Sequence, residues 1–209
     1  LVGSEMCIRD RLLGSGSHIF AICAVLTAFI GILLVITNQT TNKKLNIQHA
    51  FLMTSLAWII ISLFGSLPFM FSTLNLTFTD AYFETMSGIT TTGSTILIDV
   101  ERSSKGILIW RALLQWLGGI GIIVMAITIL PLLNVGGMQV FRSESSDTSE
   151  KILPRSREIA VAIFKIYFAL TVICAFFYFI FGMNAFDAIA HSMTTIATGG
   201  FSTYTNSFK

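Results

Sequence analysis

Charge is what this chain has least of. Asp, Glu, Lys and Arg together make up 11% of its 209 residues, against about 25% in an ordinary soluble domain. With 54% hydrophobic residues and a mean hydropathy of +0.78, that scarcity excludes a soluble globular domain and marks a membrane protein. The net charge of +2 comes from scattered Lys and Arg, so no nucleic-acid footprint is present. Cysteine is sparse too. Cys7, Cys23 and Cys174 make no metal or redox spacing, two of them lie in hydrophobic runs, and no disulfide is implied. No nucleophile, base and orienting group occur together at membrane depth, so an enzyme is not expected.

What the chain does have is long apolar runs. A membrane helix needs about 20 mostly apolar residues to cross roughly 30 Å of hydrocarbon. Residues 19–36, 50–72, 112–141 and 166–186 meet that requirement, the second ending near Pro68. Residues 1–17 stand apart: "LVGSEMCIRDR" lacks a continuous hydrophobic core and a small-residue cleavage site, so it makes a poor signal peptide. It is read either as an expression or sequence-assembly scar or as a native disordered tail. Between the spans lie a short polar link, residues 37–49, and a charged connector beginning at Phe141 and broken by Pro154.

Lys and Arg near the span ends set the orientation. Lys43, Lys44, Arg142, Lys151, Arg155, Arg157 and Lys165 lie on one side, against Arg102, Lys105, Arg111 and Lys209 on the other. The connector is therefore expected to face the cytoplasm, and residues 73–105 to face outward. Counting Arg9 and Arg11 narrows the bias, so the assignment depends on setting the tail aside.

The outward segment holds an uncharged polar strip, "GITTTGST" (residues 88–95), and the strip belongs to a repeat. "DAYFETMSGITTTGST" (80–95) aligns without gaps on "DAIAHSMTTIATGGFS" (187–202). Asp80 and Asp187, Ala81 and Ala188, Met86 and Met193, Ile89 and Ile196, Thr91 and Thr198, and Gly93 and Gly200 coincide. Each copy follows a long span on the same expected side. Each reads as a short helix capped by Asp80 or Asp187, too short to cross the bilayer and therefore re-entrant, and then an extended strip. Irregular backbone at membrane depth persists only where it is buried in protein or lines a water-filled path. Glycine can aim successive carbonyls one way, threonine adds a hydroxyl without charge, and the negative end of a helix favours a nearby cation. Such oxygens replace the hydration shell of a monovalent cation. On composition alone an ordinary external loop would carry the same residues; the repeat sets this strip apart.

Other features read more plainly. "LGGIGIIVMA" (117–126) lacks the third glycine and the preceding strand of a dinucleotide site, which leaves close helix packing by small residues. Arg111, near the outer end of the third span, is read either as functional or as a charge that snorkels to the interface, the second being favoured. Asp80 and Asp187 could attract cations at a pore mouth, although capping accounts for both. His191 falls opposite Glu84 in the alignment and is expected to pack or hydrogen-bond, with no zinc spacing around it.

"TTTGST", "RALLQWLGGIGIIVMAITILP", "GGMQVFR" and "DAIAHSMTTIATGGFST" resemble the Trk/Ktr/HKT superfamily of potassium transporters, closest to the membrane subunit of bacterial Trk systems. The resemblance runs from about residue 18 to residue 209. It implies an all-α polytopic membrane protein built from four linked helix, re-entrant pore loop, helix units around one pseudo-fourfold pore. Mapped here, 18–45 is a leading transmembrane helix, 46–140 the first unit, 141–158 the cytoplasmic connector and 159–209 the start of a second unit. The third and fourth units, with the family's gating loop and basic gate residue, are not in this sequence, so a fragment of a longer protein is expected.

The resemblance further implies potassium uptake across the inner membrane, with the ion held by the carbonyls of Thr91, Thr92, Thr198 and Gly199 and with Gly93 and Gly200 shaping the strips. Coupling to protons or sodium and control by a cytoplasmic nucleotide-binding subunit follow from the same resemblance; residues 138–157 are the contact hypothesised for that subunit, and a homodimer in the lipid bilayer is expected. The rival reading is a membrane scaffold without transport.

Overall fold

The computed structural model describes residues 17–37, 47–74, 76–129 and 152–205. Helices make up nearly all the regular structure, and no strand occurs among the described residues. In chain order they are α1 (Ser17–Thr37), α2 (Ile47–Gly65), α3 (Leu67–Met70), α4 (Phe78–Ile89), α5 (Lys105–Ile129), α6 (Ile152–Ile180) and α7 (Ala185–Ile196), with a 3-10 turn at Val100–Arg102 before α5. The fold is all-α.

Four helices are long and apolar enough to cross a membrane: His18–Thr37, Phe51–Met70, Lys105–Met125 and Glu158–Ile180. These are the four spans expected, with shifted ends. The second breaks at Ser66, ahead of Pro68 in the first turn of α3, where a missing N–H costs little. The third begins at Lys105 rather than at 112 and so takes Arg111 into the helix. The fourth begins at Ile152, which corrects the reading of Pro154 as a breaker: proline in a first turn lacks only an N–H that has no helical partner there. Of the connector 141–158, residues 152–158 belong to α6 and the rest lie outside the described residues, as do 1–16 and 38–46.

Packing is inverted relative to a soluble protein. Val25, Phe29 and Val35 of α1 and Phe168, Phe176 and Phe179 of α6 are exposed, as suits helices whose surroundings are lipid tails. Inside, a small apolar cluster of Phe69, Ala81, Ile89, Ile107 and Leu114 adjoins buried polar groups, among them Ser62, Glu84, Thr85, Arg111, Gln115 and Ser192. Helix α5 is the hub and packs against α4, α6 and α7. A Cβ added at Gly118 would lie 1.9 Å from the Ile89 carbonyl oxygen, and one at Gly119 would lie 3.2 Å from Ala197 Cα. The glycines of "LGGIG" therefore let α5 touch the ends of both short helices, as small residues do at membrane helix interfaces. Tyr167 of α6 donates to the Trp116 carbonyl at 3.1 Å, and Trp116 Nε1 donates to Thr171 Oγ1 at 3.0 Å, pinning α6 to α5.

Candidate ion-binding site

The two copies of the repeat fold alike from the start of each short helix. Thr77 caps α4 by accepting from the Asp80 N–H at 3.3 Å and donates its hydroxyl to Asp80 Oδ2 at 2.7 Å. Asn184 caps α7 by accepting from the Asp187 N–H at 3.0 Å, and its Nδ2 donates to Asp187 Oδ2. The aspartates are thus corrected from caps to partners in the first turn. The spacing is that of a capping box, with the acidic residue three places after the cap.

The strips begin where these helices end. Thr90 N–H donates to Met86 O and Thr92 N–H to Ser87 O, both at 3.0 Å; in the second copy Ala197 N–H donates to Met193 O at 3.1 Å and Gly199 N–H to Thr194 O at 2.9 Å. Thr91 and Gly93 have φ of 57° and 79°, and Thr198 and Gly200 have 56° and 76°. Two alternating left-handed residues in a three-residue stretch turn successive peptides in a regular way, and the second copy reproduces the first to within a few degrees. Each φ lies in the region that favours glycine; Thr91 and Thr198 occupy it at a cost.

Of the expected site residues, Gly93 of the first strip and Gly199 of the second are brought together. Gly93 and Gly199 are in contact: a Cβ built on Gly93 would lie 1.9 Å from the Gly199 carbonyl oxygen. Thr92, Thr198 and Gly200 are exposed, Thr91 and Gly93 half-buried and Gly199 buried. The Gly199 oxygen accepts from Gln115 Nε2 at 2.9 Å. A carbonyl has two lone pairs, and this bond occupies one of them.

Behind the strips runs a polar scaffold. Glu84 of α4 accepts from Thr95 Oγ1 at 2.9 Å, from the Ile96 N–H at 3.1 Å and from Arg111 Nε at 2.8 Å. Arg111 Nη1 donates to the Ser202 carbonyl at 3.1 Å, and its guanidinium lies 4.1 Å from the centre of the Phe201 ring. The Arg111 and Glu84 side chains are 2% and 0% exposed. This corrects the snorkelling expectation: Arg111 points inward because a buried carboxylate, a carbonyl and an aromatic face await it, and they compensate its lost hydration. His191, in the place of Glu84, bonds Thr203 Oγ1 at 3.1 Å. It is a hydrogen-bonding residue, as expected.

Sequence reasoning missed Glu84, Arg111 and Gln115 as one scaffold. A signal was present, since an ionisable residue inside a membrane segment calls for a named partner. In the first turn of α7, burial pushes the Asp187 carboxyl up, but bonds from Thr203, Tyr204 and Asn184 outweigh it and hold the group below its ordinary value. Burial also pushes the His191 imidazole down, with Asp187 offsetting only part of the effect.

A family model described as a cation transport protein, TrkH, matches residues 16–209. The chain belongs to the TrkH family. That is a family of membrane transport proteins and not of enzymes. Among TrkH-family relatives, the chain is 51% identical over 158 residues to the Trk system potassium uptake protein TrkI of Halomonas elongata, covering 76% of this chain and 32% of that one. It is 47% identical over 178 residues to the Trk system potassium uptake protein TrkH of Escherichia coli strain K12, covering 84% and 37% respectively. The fold matches the crystal structure of the potassium transporter TrkH from Vibrio parahaemolyticus with a TM-score of 0.80 at 37% identity, over 97% of this chain and 41% of that chain. This TrkH-family chain thus spans about a third of the length of the curated relatives it matches.

Proposed function

We propose that this chain forms two quarters of a potassium filter in a multi-pass transporter of the bacterial inner membrane. The observation that carries the reading is the paired backbone: Thr91 and Gly93, and Thr198 and Gly200, repeat one left-handed alternation in two strips that touch at Gly93 and Gly199. The carbonyls of Thr91, Thr92, Thr198 and Gly199 are the ion ligands, exchanged for the water of a potassium ion as it passes. Helices α4 and α7, 12 residues each, are too short to cross the hydrocarbon and serve as re-entrant helices whose negative C-terminal ends face the cation.

The relatives' names, potassium uptake proteins of Trk systems, support potassium as the substrate. In this reading the strips open outward and the connector faces the cytoplasm. Residues 46–140 form the first unit and residues from 159 the start of the second. Coupling to protons or sodium, assembly as a homodimer and control by a cytoplasmic nucleotide-binding subunit near residues 138–157 belong to the same reading.

The test is growth on limiting potassium in cells that lack other potassium uptake, with the complete open reading frame expressed with and without Gly93→Ser. Rescue that is lost or altered in cation preference by the substitution supports the filter. Rescue indifferent to Gly93→Ser, or no rescue by well-expressed protein, favours a scaffold.

A further inference from the structure

Gln115 lies one turn beyond Arg111 on α5 and is fully buried. Both ends of its amide engage one segment of the second strip. Nε2 donates to the Gly199 carbonyl at 2.9 Å, and Oε1 accepts from the Phe201 N–H at 3.1 Å. An amide offering one donor and one acceptor to the same backbone senses the direction of the peptides and not the identity of the side chains.

The peptide it grips is the one least able to hold itself. The Gly199 carbonyl belongs to the Gly199–Gly200 peptide, flanked on both sides by residues with no Cβ to restrict rotation. In the first strip the corresponding peptide follows Thr92, whose branched side chain narrows its backbone freedom. The glycine is needed as well: a Cβ at position 199 would lie 2.3 Å from Gln115 Cδ. Position 199 therefore gives up a side chain to admit the amide, and the amide supplies the restraint that the side chain would have given.

We infer that Gln115 is a positioning residue for cation discrimination: from the helix of the first unit it fixes the direction of the Gly199 carbonyl in the second. Arg111, one turn away, anchors the same strip at Ser202, so the two α5 side chains brace it from behind. The inference rests on the filter reading and adds to it a residue that touches no ion.

The test uses the complete transporter in proteoliposomes, reading potassium and sodium uptake for wild type, Gln115→Met and Gln115→Glu. Met keeps the length of the side chain but offers neither the donor nor the acceptor. It is expected to lower the potassium-to-sodium ratio about tenfold, the scale of one lost buried hydrogen bond, while protein level and elution volume stay as in wild type. Glu reproduces the amide pattern only when protonated. Its ratio is expected to approach wild type near pH 5.5 and to fall near pH 8, roughly either side of the range in which a buried carboxyl titrates. A wild-type ratio for Gln115→Met overturns the inference. Where Gln115→Met does not accumulate, a Gln115→Glu ratio that tracks wild type at both pH values overturns it instead. If the wild type itself does not discriminate between the cations, the filter reading fails; if it discriminates and the variants match it, only the role of Gln115 fails.

Discussion

Thr91 and Thr198 hold the same left-handed backbone, with φ of 57° and 56°. For a β-branched residue that conformation costs about 1–2 kcal/mol. It is held by the helix end behind it, through the Thr91 N–H to Gly88 O and the Thr198 N–H to Thr195 O, both at 2.9 Å. Strain that recurs at the same point of two copies is retained for geometry, since neither copy gains stability from it.

The two strip glycines should respond differently to a methyl group. Both have positive φ, but a Cβ at Gly93 would lie 1.9 Å from the Gly199 oxygen, whereas one at Gly200 meets nothing within 4 Å among the described residues. Gly200→Ala is therefore expected to cost about 1 kcal/mol from backbone strain alone. Gly93→Ala should cost about 3 kcal/mol or more, because the clash adds to the strain. Thermal melting of the two purified variants checks this, and equal losses would refute the strip contact.

The Glu84–Arg111 pair should be cooperative. Removing one member leaves a charge buried without its partner, so Arg111→Met or Glu84→Gln alone is expected to lower stability by about 3–5 kcal/mol. In the double variant the losses should not add, since buried pairs replaced by apolar groups are often tolerated. A double-mutant cycle on melting temperature and membrane abundance measures the coupling. Additive losses would mean that Arg111 and Glu84 act independently, which leaves Arg111 its bond to Ser202.

How much of this was legible depended on the range of the signal. The four spans follow from runs of apolar residues, a local property, and the strip repeat from identities at fixed spacing. The helix starts were missed by three residues because Thr, Asn and Asp are all good caps. Thr77 and Asn184 won by having Asp80 and Asp187 at the reciprocal position of the box. Arg111 read as a charge near a span end until the helix proved to begin at Lys105 and to carry it inward to Glu84. Gln115 had no signal at all, since its partners are backbone atoms of a segment remote in sequence.

Along α5 the glycines should separate by neighbour. A Cβ at Gly118 meets the Ile89 backbone at 1.9 Å, while one at Gly121 meets only the ring of Trp58 at 3.9 Å. Gly118→Ala is expected to destabilise by about 1–3 kcal/mol through overpacking. Gly121→Ala should be neutral or slightly stabilising, since alanine favours a helix by about 1 kcal/mol over glycine. Comparable melting temperatures for the two variants would show that α5 does not rest on the end of α4.

Acid should loosen the second copy through His191. Its imidazole bonds Thr203, and its pKa is held below the ordinary value by burial, against the opposing charge of Asp187. The unfolded chain then binds the proton more readily than the folded one, so stability is unaffected above roughly pH 6.5 and falls as the pH drops below it. Asp187 does not produce the same window. Its carboxyl is held below its ordinary value, so its contribution is intact above the usual carboxylate range and is lost only as the pH falls through that range and below it. His191→Gln keeps a side chain able to bond Thr203 and cannot titrate. The melting temperature of the wild type should therefore decline between about pH 7.5 and 5.5 more steeply than that of His191→Gln. Parallel declines would assign the acid sensitivity to other groups and leave His191 as a hydrogen-bonding residue without a titration of its own in that range.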